Sequence, residues 1–447
     1  MAGKRGHKED LLDKLNNRTG TIAVVGLGYV GLPLACALAE AGHRVIGIDT
    51  EADKVEGINA GRSHIDDVGS AQLERLIERK RLAATQDYRA AAAADAAIIA
   101  VPTPIDEYRV PDLSFVQAAS RSLSEVMPRG SLVVLESTTY PGTTDEVLIP
   151  AFRDRGYMPG VDVFIGYSPE RIDPGNQTWN LQNTPKVVSG LTKSCLDVTI
   201  ALYSTTVDKV VPVSNIRTAE ITKLFENIFR GVNIALVNEF QVICDAFGID
   251  VWEVIQACST KPYGFTPFYP GPGLGGHCVP VDPFYLAWKA RQLDVNTEFI
   301  ELSGRINANM PNYVVSKVAR LLNGSHKSLN GARVGMLGVA YKKNSSDVRE
   351  SPAIKIIELL LDEGATVTFH DPHVKSLTVS GQVFRSTANL RNFLASQDCA
   401  VVVADHDSID WTLVLQYAPM IVDSRNVLGR LNPVSTASAH RAERGID

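Results

Sequence analysis

The sequence is poor in cysteine and has no large excess of charge of either sign, and each shortage excludes a class of function. Its six cysteines are scattered with no CxxC pair, so neither a disulfide framework nor a cysteine-rich zinc site is expected. His277, His370 and His373 lack the partner spacing of a zinc site, so we expect no metal. The formal net charge of −6 argues against nucleic acid as a partner, because nucleic-acid binding usually needs a broad basic surface.

Segments typical of export or of membrane insertion are also missing. The first twenty residues carry charges but no apolar core, so we expect no secretory signal. Residues 21–39 are uncharged and nearly long enough to span a bilayer, but three glycines and Pro33 divide them into a strand, a turn and a helix. We therefore expect no membrane partner. Together with the unpaired cysteines, this pattern predicts a cytoplasmic protein.

The first half of the chain alternates apolar strands with amphipathic helices. A chain of 447 residues is too long for one hydrophobic core, so two or three domains are expected. Strand–helix alternation is typical of a parallel sheet with helices on both faces. The predicted strands of this half cover 21–26, 44–49, 96–101, 131–137, 161–167, 186–190 and 209–213. The helix after the first strand should begin near Gly31 and end at Glu40.

A long helical pattern without proline, from Arg217 to Phe247, separates the two halves. We interpret it as a connecting helix that also forms a dimer interface, so a homodimer or a higher homo-oligomer is expected. Further helices are predicted at 283–293 and 298–323. Strand–helix alternation then returns at 332–338, 352–363 and 366–372.

This order predicts an α/β protein with two Rossmann-like, doubly wound domains joined by a central helical region. The predicted parts are an N-terminal extension at 1–20, a first α/β domain at 21–213, a central helical region at 214–323 and a second α/β domain at 324–447.

Residues 26–31, GLGYVG, follow a predicted strand and open a predicted helix. This is the context that a GxGxxG dinucleotide-binding turn requires. In such a turn Gly26 permits the sharp bend, Gly28 lets the backbone approach the pyrophosphate, and Gly31 allows close packing of helix and sheet. The alternative is a glycine-rich turn with a purely structural role.

Other residues near this turn specify the cofactor. Tyr29 and Val30 lie inside the motif and are expected at the cofactor. Asp49 ends the second predicted strand, eighteen residues after the last motif glycine. Its carboxylate can accept both ribose hydroxyls and would repel a 2′-phosphate, so NAD is favoured over NADP. Pro102 and Thr103, at the end of a strand, either line the cofactor cleft or form a plain turn.

The glycine-rich segment GPGLGGHCVPVD, residues 271–282, places Cys278 in a loop. Glycine is used where the backbone bends sharply or lets another group come close, so this thiol is placed for access. A reactive thiol beside a nicotinamide cofactor suggests oxidation of a carbonyl through a thioester.

Taken together, these residues resemble the UDP-glucose/GDP-mannose dehydrogenase family over nearly the whole chain, from about residue 20 to 430. The motifs that carry the resemblance are GLGYVGLP, EST (136–138), SPER (168–171), KLFEN (223–227), GxGGHC (273–278) and KKNSSDVRES (342–351). Within the family the chain is most similar to members acting on UDP-N-acetylhexosamines, UDP-N-acetylglucosamine in particular. The resemblance implies a four-electron oxidation of a C6 hydroxyl to a carboxylate with two NAD⁺.

The resemblance also implies a set of catalytic residues. Cys278 would form a thiohemiacetal and then a thioester. Lys223 and Asn227, which share one face of a helix, would stabilise a developing oxyanion. Asp282 would orient water or assist proton transfer, and Glu170 would serve the hydrolytic step.

Three positions leave alternatives open. Thr138 matches a threonine that helps to hold water, but its hydroxyl could equally satisfy backbone at a strand end. Pro174 stands where UDP-glucose dehydrogenases carry a second glutamate, which favours the N-acetyl subclass. Lys261 lies where many relatives supply an arginine from a neighbouring subunit, and whether it substitutes stays open.

For the UDP-sugar, the predicted ligands are Lys342 and Arg349, in a basic loop with Lys343. Arginine can bind phosphate through two hydrogen bonds, whereas lysine acts as a point charge. Phe268 could pack on the base or the sugar ring, or belong to an ordinary core. Gly275 of the glycine-rich loop is the fourth residue expected at the substrate.

Two alternative functions remain at this point. The same chemistry could act on UDP-N-acetylmannosamine, UDP-N-acetylgalactosamine or UDP-glucose. The second alternative is a protein that binds NAD and a nucleotide sugar without turnover. Binding alone, however, does not need the full set of Cys278, Lys223, Asn227, Asp282 and Glu170.

Overall fold

The computed structural model describes residues 6–65, 67–106, 110–172, 176, 178–276 and 281–431. The chain forms two compact units. The first comprises Met1–Glu226 and Trp288–Val295, and the second comprises Asn227–Ala287 and Asn296–Asp447. The domain boundaries predicted after residues 20, 213 and 323 stay predictions.

The first unit contains an eight-stranded sheet. Its strands are β1 (Thr21–Val25), β2 (Arg44–Ile48), β3 (Leu82–Thr85), β4 (Ala96–Ile99), β5 (Ser131–Leu135), β6 (Val163–Tyr167), β7 (Lys186–Gly190) and β8 (Val210–Pro212). They lie in the order β3-β2-β1-β4-β5-β6-β7-β8. Because β1 pairs with both β2 and β4, the strand order reverses there, and ligands of such sheets bind outside the carboxyl ends of the strands at this point.

One strand pair departs from the expected parallel arrangement. β6 and β7 run antiparallel, with Gly166 opposite Gly190 and Tyr167 opposite Ser189. A parallel pair needs a long crossover, usually a helix. The described residues between β6 and β7 form no helix that could serve as such a crossover, and β7 runs back beside β6 in the opposite direction.

Helices cover both faces of this sheet. They are α1 (His7–Asn16), α2 (Gly31–Glu40), α3 (Ala52–Asn59), α4 (Ser70–Glu78), a 3-10 helix (Tyr88–Ala93), α5 (Ser114–Val126), a π-helical segment (Thr144–Leu148), α6 (Ile149–Arg153) and α7 (Lys193–Tyr203). Ile22 and Val24 of β1 pack with α2 on one face, whereas Ala23 and Val25 pack with α5 on the other. Burial on both sides explains why these strands read as continuous apolar runs.

The predicted N-terminal extension contains a helix that joins this core. Leu11 and Leu15 of α1 are buried with residues of α7, and Lys8 Nζ lies 2.7 Å from Asp197 Oδ2. The two leucines stand four residues apart, which is helical spacing. That spacing was the available sequence signal for α1.

The central helices are α8 (Ile216–Phe247), α9 (Val251–Ser259), α10 (Asp282–Arg291) and α11 (Glu298–Gly324). Two of these four, α8 and α11, are longer than the helices of the sheet domains. α8 begins in the first unit and continues into the second. The prediction of a long connecting helix is confirmed, and its start differs by one residue.

The second unit ends in a smaller α/β domain. Its parallel sheet contains β9 (Arg333–Leu337), β10 (Thr366–His370), β13 (Cys399–Val402) and β14 (Ile421–Asp423) in the order β10-β9-β13-β14, and β11 (Ser376–Val379) and β12 (Gln382–Arg385) form a hairpin. The helices are α12 (Pro352–Asp362), α13 (Leu390–Ala395), α14 (Trp411–Tyr417) and α15 (Val427–Leu431). The predicted architecture, two Rossmann-like sheets with a central helical region, is confirmed.

Within the described residues, none of the helices combines the length and the apolar character needed to cross a membrane.

Candidate active site

The glycine turn lies between β1 and α2, and two of its glycines are required by packing. Gly26 has a φ of +89°, and a Cβ there would lie 2.5 Å from Ala100 O. A Cβ at Gly31 would lie 1.8 Å from Gly26 O. At Gly28, by contrast, none of the described atoms lies within 4 Å of the Cβ position. The middle glycine is therefore open to an approaching ligand, as a dinucleotide-binding turn requires.

Asp49 follows β2 and is bonded to this turn. Its Oδ2 accepts a hydrogen bond of 2.8 Å from the Leu27 N–H, and its Oδ1 accepts one of 3.0 Å from the Glu51 N–H. Both donors are backbone groups, so the position of the carboxylate is fixed by the main chain. A fixed negative charge at the end of β2 suits ribose hydroxyls and disfavours a 2′-phosphate.

The loops after β4 and β5 are tied together near this edge of the sheet. Thr103 Oγ1 donates a hydrogen bond of 2.7 Å to the Thr138 carbonyl oxygen. Ser137 Oγ likewise donates to Val101 O at 2.8 Å. Thr138 itself is half-buried, whereas Thr139 is fully buried, and its Oγ1 has no hydrogen-bond partner among the described residues. Tyr29 and Val30 remain partly exposed beside Gly28.

Glu170, in the SPER segment after β6, is buried and strongly bonded. Its Oε1 accepts hydrogen bonds of 2.6 Å from the Arg171 and Ile172 N–H groups. Its Oε2 lies 3.2 Å from Lys186 Nζ. Lys186 opens β7 and also pairs with Glu136, which directly follows β5. The predicted base therefore belongs to a buried cluster of two carboxylates and an ammonium.

The surroundings move the pKa values of the two carboxyls in opposite directions. Burial raises the pKa of Glu136 to about 7, against the opposing charge of Lys186. Burial also acts to raise the pKa of Glu170, but Lys186, the two backbone N–H groups and Lys223 outweigh it, so this pKa is lowered. Two carboxyls with separated pKa values can hold different protonation states near neutral pH.

The start of α8 is tied to the SPER segment. Arg171 Nη2 donates to Glu226 Oε1 at 2.6 Å, and Arg171 Nη1 donates to Pro185 O at 2.6 Å. Lys223, one turn before Asn227, is buried, and its charge acts on Glu170. The structure thus brings two predicted catalytic residues of the first unit, Glu170 and Lys223, into one electrostatic environment.

Glu220, on the same helix, has a structural partner instead. Its carboxylate accepts hydrogen bonds from the Gly142 N–H at 2.6 Å and from the Thr144 N–H at 3.0 Å. Burial raises its pKa to about 6, although these donors oppose the shift. Glu220 therefore anchors the start of the π-helical segment at Thr144.

In the second unit, Asn227 and Asp282 are directly bonded. Asn227 Nδ2 donates to Asp282 Oδ2 at 2.5 Å, and both side chains are buried. Asp282 is the first residue of α10, where a carboxylate is favoured by the helix dipole. Cys278, the predicted nucleophile, and Pro174 lie outside the described residues.

The predicted substrate residues of the second unit meet around the glycine-rich loop. A Cβ at Gly275 would lie 2.6 Å from Tyr341 Cβ, and Tyr341 directly precedes Lys342. The Gly276 N–H donates to Arg349 O at 3.2 Å. Gly275, Lys342 and Arg349 therefore share one region, whereas Phe268 packs edge-on against Phe229, with ring centroids 5.7 Å apart.

The basic loop is held by acidic and imidazole groups. Arg349 Nη2 lies 2.6 Å from Asp347 Oδ2, and Lys343 Nζ lies 2.6 Å from Asp407 Oδ1. The Asn344 N–H donates to His406 Nδ1 at 2.9 Å, so the other imidazole nitrogen carries the proton and donates to Asp371 at 3.1 Å. Lys343 and Arg349 therefore each have an acidic partner in the absence of substrate.

Sequence reasoning missed several charged residues of these regions. Glu136 stands in the EST motif directly after β5 and Lys186 opens β7, but neither position indicated that the two side chains pair. Arg425 was missed as well. Its Nη1 would lie 2.9 Å from a Cβ at Gly271, so the absence of a side chain at this glycine lets the guanidinium approach the glycine-rich loop.

A Rossmann-like sheet with an open glycine turn and a fixed acid after β2 defines an NAD-binding protein of the dehydrogenase class. The sequence matches the UDP-glucose/GDP-mannose dehydrogenase family in three parts: its NAD binding domain at residues 20–207, its central domain at 217–309 and its UDP binding domain at 335–430. The chain belongs to this family and is an NAD-dependent UDP-sugar dehydrogenase.

Individual relatives agree with this assignment. The chain is 40% identical over 352 residues to Protein CapL of Staphylococcus aureus, covering 78% of this chain and 81% of that protein. It is 36% identical over 357 residues to UDP-N-acetyl-D-glucosamine 6-dehydrogenase of Pseudomonas aeruginosa, covering 79% and 83%. The structure of UDP-D-ManNAc dehydrogenase from Pyrococcus horikoshii superimposes with a TM-score of 0.83 at 32% identity, covering 91% and 95%.

Proposed function

We propose that this protein oxidises the C6 hydroxyl of a UDP-N-acetylhexosamine to a carboxylate, with UDP-N-acetylglucosamine as the preferred substrate. Two of the relatives above carry N-acetylhexosamine substrates in their names, which supports the class of sugar. UDP-N-acetylmannosamine, UDP-N-acetylgalactosamine and UDP-glucose are the alternatives. The free thiols of the five described cysteines agree with action in the cytoplasm.

One observation carries the proposal of catalysis. Lys223 and Asn227 are buried one turn apart on α8. Asn227 donates a hydrogen bond to Asp282, and the charge of Lys223 helps to lower the pKa of Glu170. A buried ammonium and a buried amide are costly unless they are paired, so a pure binding protein gains little from them. Both groups are donors that can stabilise negative charge developing on a substrate oxygen.

The proposed steps follow from these residues. Bound NAD⁺ supplies the electron acceptor for two successive two-electron oxidations. After the first, the Cys278 thiolate adds to the aldehyde carbon at C6 and forms a thiohemiacetal, whose oxyanion Lys223 and Asn227 stabilise. After the second, a thioester remains on Cys278. Asp282 holds the Asn227 amide in place through their hydrogen bond.

Hydrolysis of the thioester is the last step. Glu170 removes a proton from water, and Thr138 helps to position that water. The water oxygen bonds to the C6 carbonyl carbon, and the carbon–sulfur bond breaks with its electron pair going to Cys278. The proton collected by Glu170 passes to the departing thiolate. This step releases the uronic acid and regenerates the free thiol of Cys278.

For the cofactor we keep the residues of the glycine turn and of the neighbouring loops. They are Gly26, Gly28, Tyr29, Val30, Gly31, Asp49, Pro102 and Thr103. The geometry of the turn supports the glycine roles, because only the middle glycine is open on its Cβ side. Thr103 has a structural bond to Thr138 O in addition to any cofactor contact.

For the UDP-sugar we keep Lys342, Arg349, Phe268 and Gly275 and add Arg425. The proximity of Arg425 to Gly271 supports this addition. Arg349 exchanges its bond to Asp347 for a diphosphate oxygen when substrate binds, because arginine suits bidentate contacts to phosphate.

A second copy of this chain covers the exposed apolar face of α8. Large apolar side chains recur along that helix at spacings of three, four and seven residues: Phe225, Phe229, Leu236, Phe240, Ile243 and Phe247 are all exposed. Contiguous exposed apolar surface of this kind marks protein interfaces. A self-associating helix gives the homodimer, and Lys261 could then reach a neighbouring site.

The deciding experiment incubates the protein with NAD⁺ and a panel of UDP-sugars and follows NADH. Two NADH per sugar, together with the uronic acid by mass spectrometry, are expected. A ratio of one would indicate a simple alcohol dehydrogenase, and binding of both ligands without NADH would favour the non-catalytic alternative. The sugar with the highest kcat/KM identifies the substrate, and a preference for UDP-glucose would overturn the N-acetyl assignment.

A further inference from the structure

A lysine in the interior of the first unit links two carboxylates. Lys186 Nζ pairs with Glu136 Oε1 and lies 3.2 Å from Glu170 Oε2, and all three residues are at least 90% buried. The Lys186 ammonium also lies 5.1 Å from the centre of the Tyr203 ring. Tyr203 in turn donates a hydrogen bond of 3.2 Å to Glu136 Oε2. None of these bonds is local in sequence.

The cluster is assembled from separate elements, each with one charged or titratable group facing Glu170. Lys186 comes from β7, Glu136 from the end of β5, Tyr203 from α7 and Lys223 from α8. Of the two lysines, Lys186 is in contact with both carboxylates of the cluster. Its removal would leave two buried carboxyls with only the more distant charge of Lys223.

The hydrogen bonds of Glu170 within the described residues leave one of its acceptor sites unused. A carboxylate offers about four lone-pair sites. Among the described residues three donors reach Glu170: the N–H groups of Arg171 and Ile172 at Oε1, and Lys186 at Oε2. The remaining acceptor site belongs to Oε2, the oxygen that Lys186 holds. The lysine therefore orients the oxygen that would accept the proton of water.

We propose that Lys186, anchored by Glu136 and Tyr203, is a positioning residue that keeps Glu170 ionised and aims its Oε2 at the hydrolytic water. The inference rests on the proposed function, because it needs Glu170 to act on the thioester at Cys278. A protonated Glu170 could not remove a proton from water, so loss of the buried cation should stop hydrolysis without affecting the oxidation steps that precede it.

The titration of the cluster agrees with this assignment. Burial raises the pKa of Glu136 to about 7, whereas the cations and backbone donors around Glu170 overcome burial and lower its pKa. Near neutral pH the proton that the two carboxyls compete for therefore resides on Glu136. Glu136 can lose its charge while the Lys186–Glu170 pair stays intact.

The test compares Lys186→Met with Lys186→Arg and follows the rate of thioester hydrolysis against pH in single-turnover experiments. Lys186→Met should move the acidic limb of this profile upward by about 1–3 pH units, the shift that an adjacent cation typically causes. Below the new limb, intact-protein mass spectrometry should detect a covalent adduct. The first oxidation and both KM values should stay near wild type, and Lys186→Arg should restore the original limb.

Because removing one partner of a buried ion pair is strongly destabilising, a second variant accompanies the first. Lys186→Met combined with Glu136→Gln leaves one unpaired carboxylate, Glu170, instead of two, and should regain part of the thermal stability while keeping the raised limb. Lys193→Met, which removes an exposed lysine of the same unit, is the matched control. A purely structural lysine would instead lower the rate equally at every pH, and an unmoved acidic limb in the double variant would overturn the proposal.

Glu170→Gln separates this inference from the proposed function. If that variant hydrolyses the thioester at the wild-type rate, the assigned role of Glu170 is wrong, whatever Lys186 does. If it accumulates the adduct while the lysine variants keep the wild-type limb, the function stands and only the role of Lys186 is refuted.

Discussion

Asn227 on α8 donates a hydrogen bond of 2.5 Å to Asp282, the first residue of α10. The carboxylate can only accept, so the bond fixes which end of the Asn227 amide carries the donors. Fifty-five residues separate the two positions, and no local sequence pattern couples them. The pair shows how the fold orders a predicted oxyanion donor before substrate arrives.

Replacing Asn227 with leucine should lower kcat by roughly 100-fold, with little change in either KM, because an oxyanion donor acts on the transition state. Steady-state kinetics with NAD⁺ and the preferred UDP-sugar measures this. Asn233→Leu is the control, since among the described residues the Asn233 side chain bonds to the Phe229 carbonyl on its own helix and to no catalytic group. An equal loss in the control, or a change confined to KM, would remove Asn227 from the oxyanion role.

Replacing Cys278 with serine should abolish uronate formation while NAD⁺ and UDP-sugar still bind, because a hydroxyl is a much weaker nucleophile than a thiolate. Product analysis and calorimetric titration with each ligand measure the two properties. Cys258→Ser, at an exposed free thiol, is the control and should be fully active. Normal uronate production by Cys278→Ser would refute the thioester mechanism.

Asp49→Asn should weaken NAD⁺ binding by about tenfold, or 1.4 kcal/mol, and narrow the preference for NAD⁺ over NADP⁺. The physical reason is loss of the negative charge that accepts ribose hydroxyls and repels a 2′-phosphate. Fluorescence titration of both cofactors tests it. Asp53→Asn, at an exposed aspartate of α3, should change neither affinity. An unchanged cofactor preference in Asp49→Asn would place the discrimination elsewhere.

Asp371 makes the free energy of unfolding of the second unit depend on pH in the acidic range. Burial acts to raise its pKa, but His406 and the backbone N–H groups of Val339 and His373 lower it to about 2. A carboxyl whose pKa is lower in the folded state stabilises the fold at pH values above its unfolded-state pKa. That stabilisation is lost as the pH falls from about 4 towards 2.

Asp371→Asn should therefore lower the free energy of unfolding at neutral pH by about 2 kcal/mol and flatten its dependence on pH between 4 and 2. Urea unfolding at several pH values measures both effects. Asp362→Asn, at an exposed site, should keep the wild-type slope. The same flattening in this control would exclude Asp371 as the source.

Leu236→Asp should weaken the proposed homodimer and raise its dissociation constant by at least about tenfold, because the substitution introduces a charge into the apolar face of α8. Sedimentation velocity over a range of concentrations measures the association. Val383→Asp, at a similarly exposed position on the β11–β12 hairpin, should leave it intact. A wild-type protein that sediments as a monomer would contradict the dimer proposal.

Sequence patterns located most of the elements because their apolar residues are continuous and their ends are marked. The strands predicted at 186–190 and the helix predicted from Gly31 to Glu40 match the structure residue for residue. β3, Leu82–Thr85, was missed because its two central alanines give little strand propensity. The β11–β12 hairpin was missed as well, since its strands are short and half exposed.

Residue spacings of a few positions were enough to identify the family, the NAD turn and most candidate site residues. Which of those residues interact depends on the tertiary structure. It joined Asn227 to Asp282, bound Lys343 to Asp407 and placed Glu170 in one cluster with Glu136 and Lys186. A buried charge needs a partner, but that partner comes from whichever strand or helix packs alongside, and chain distance does not encode it.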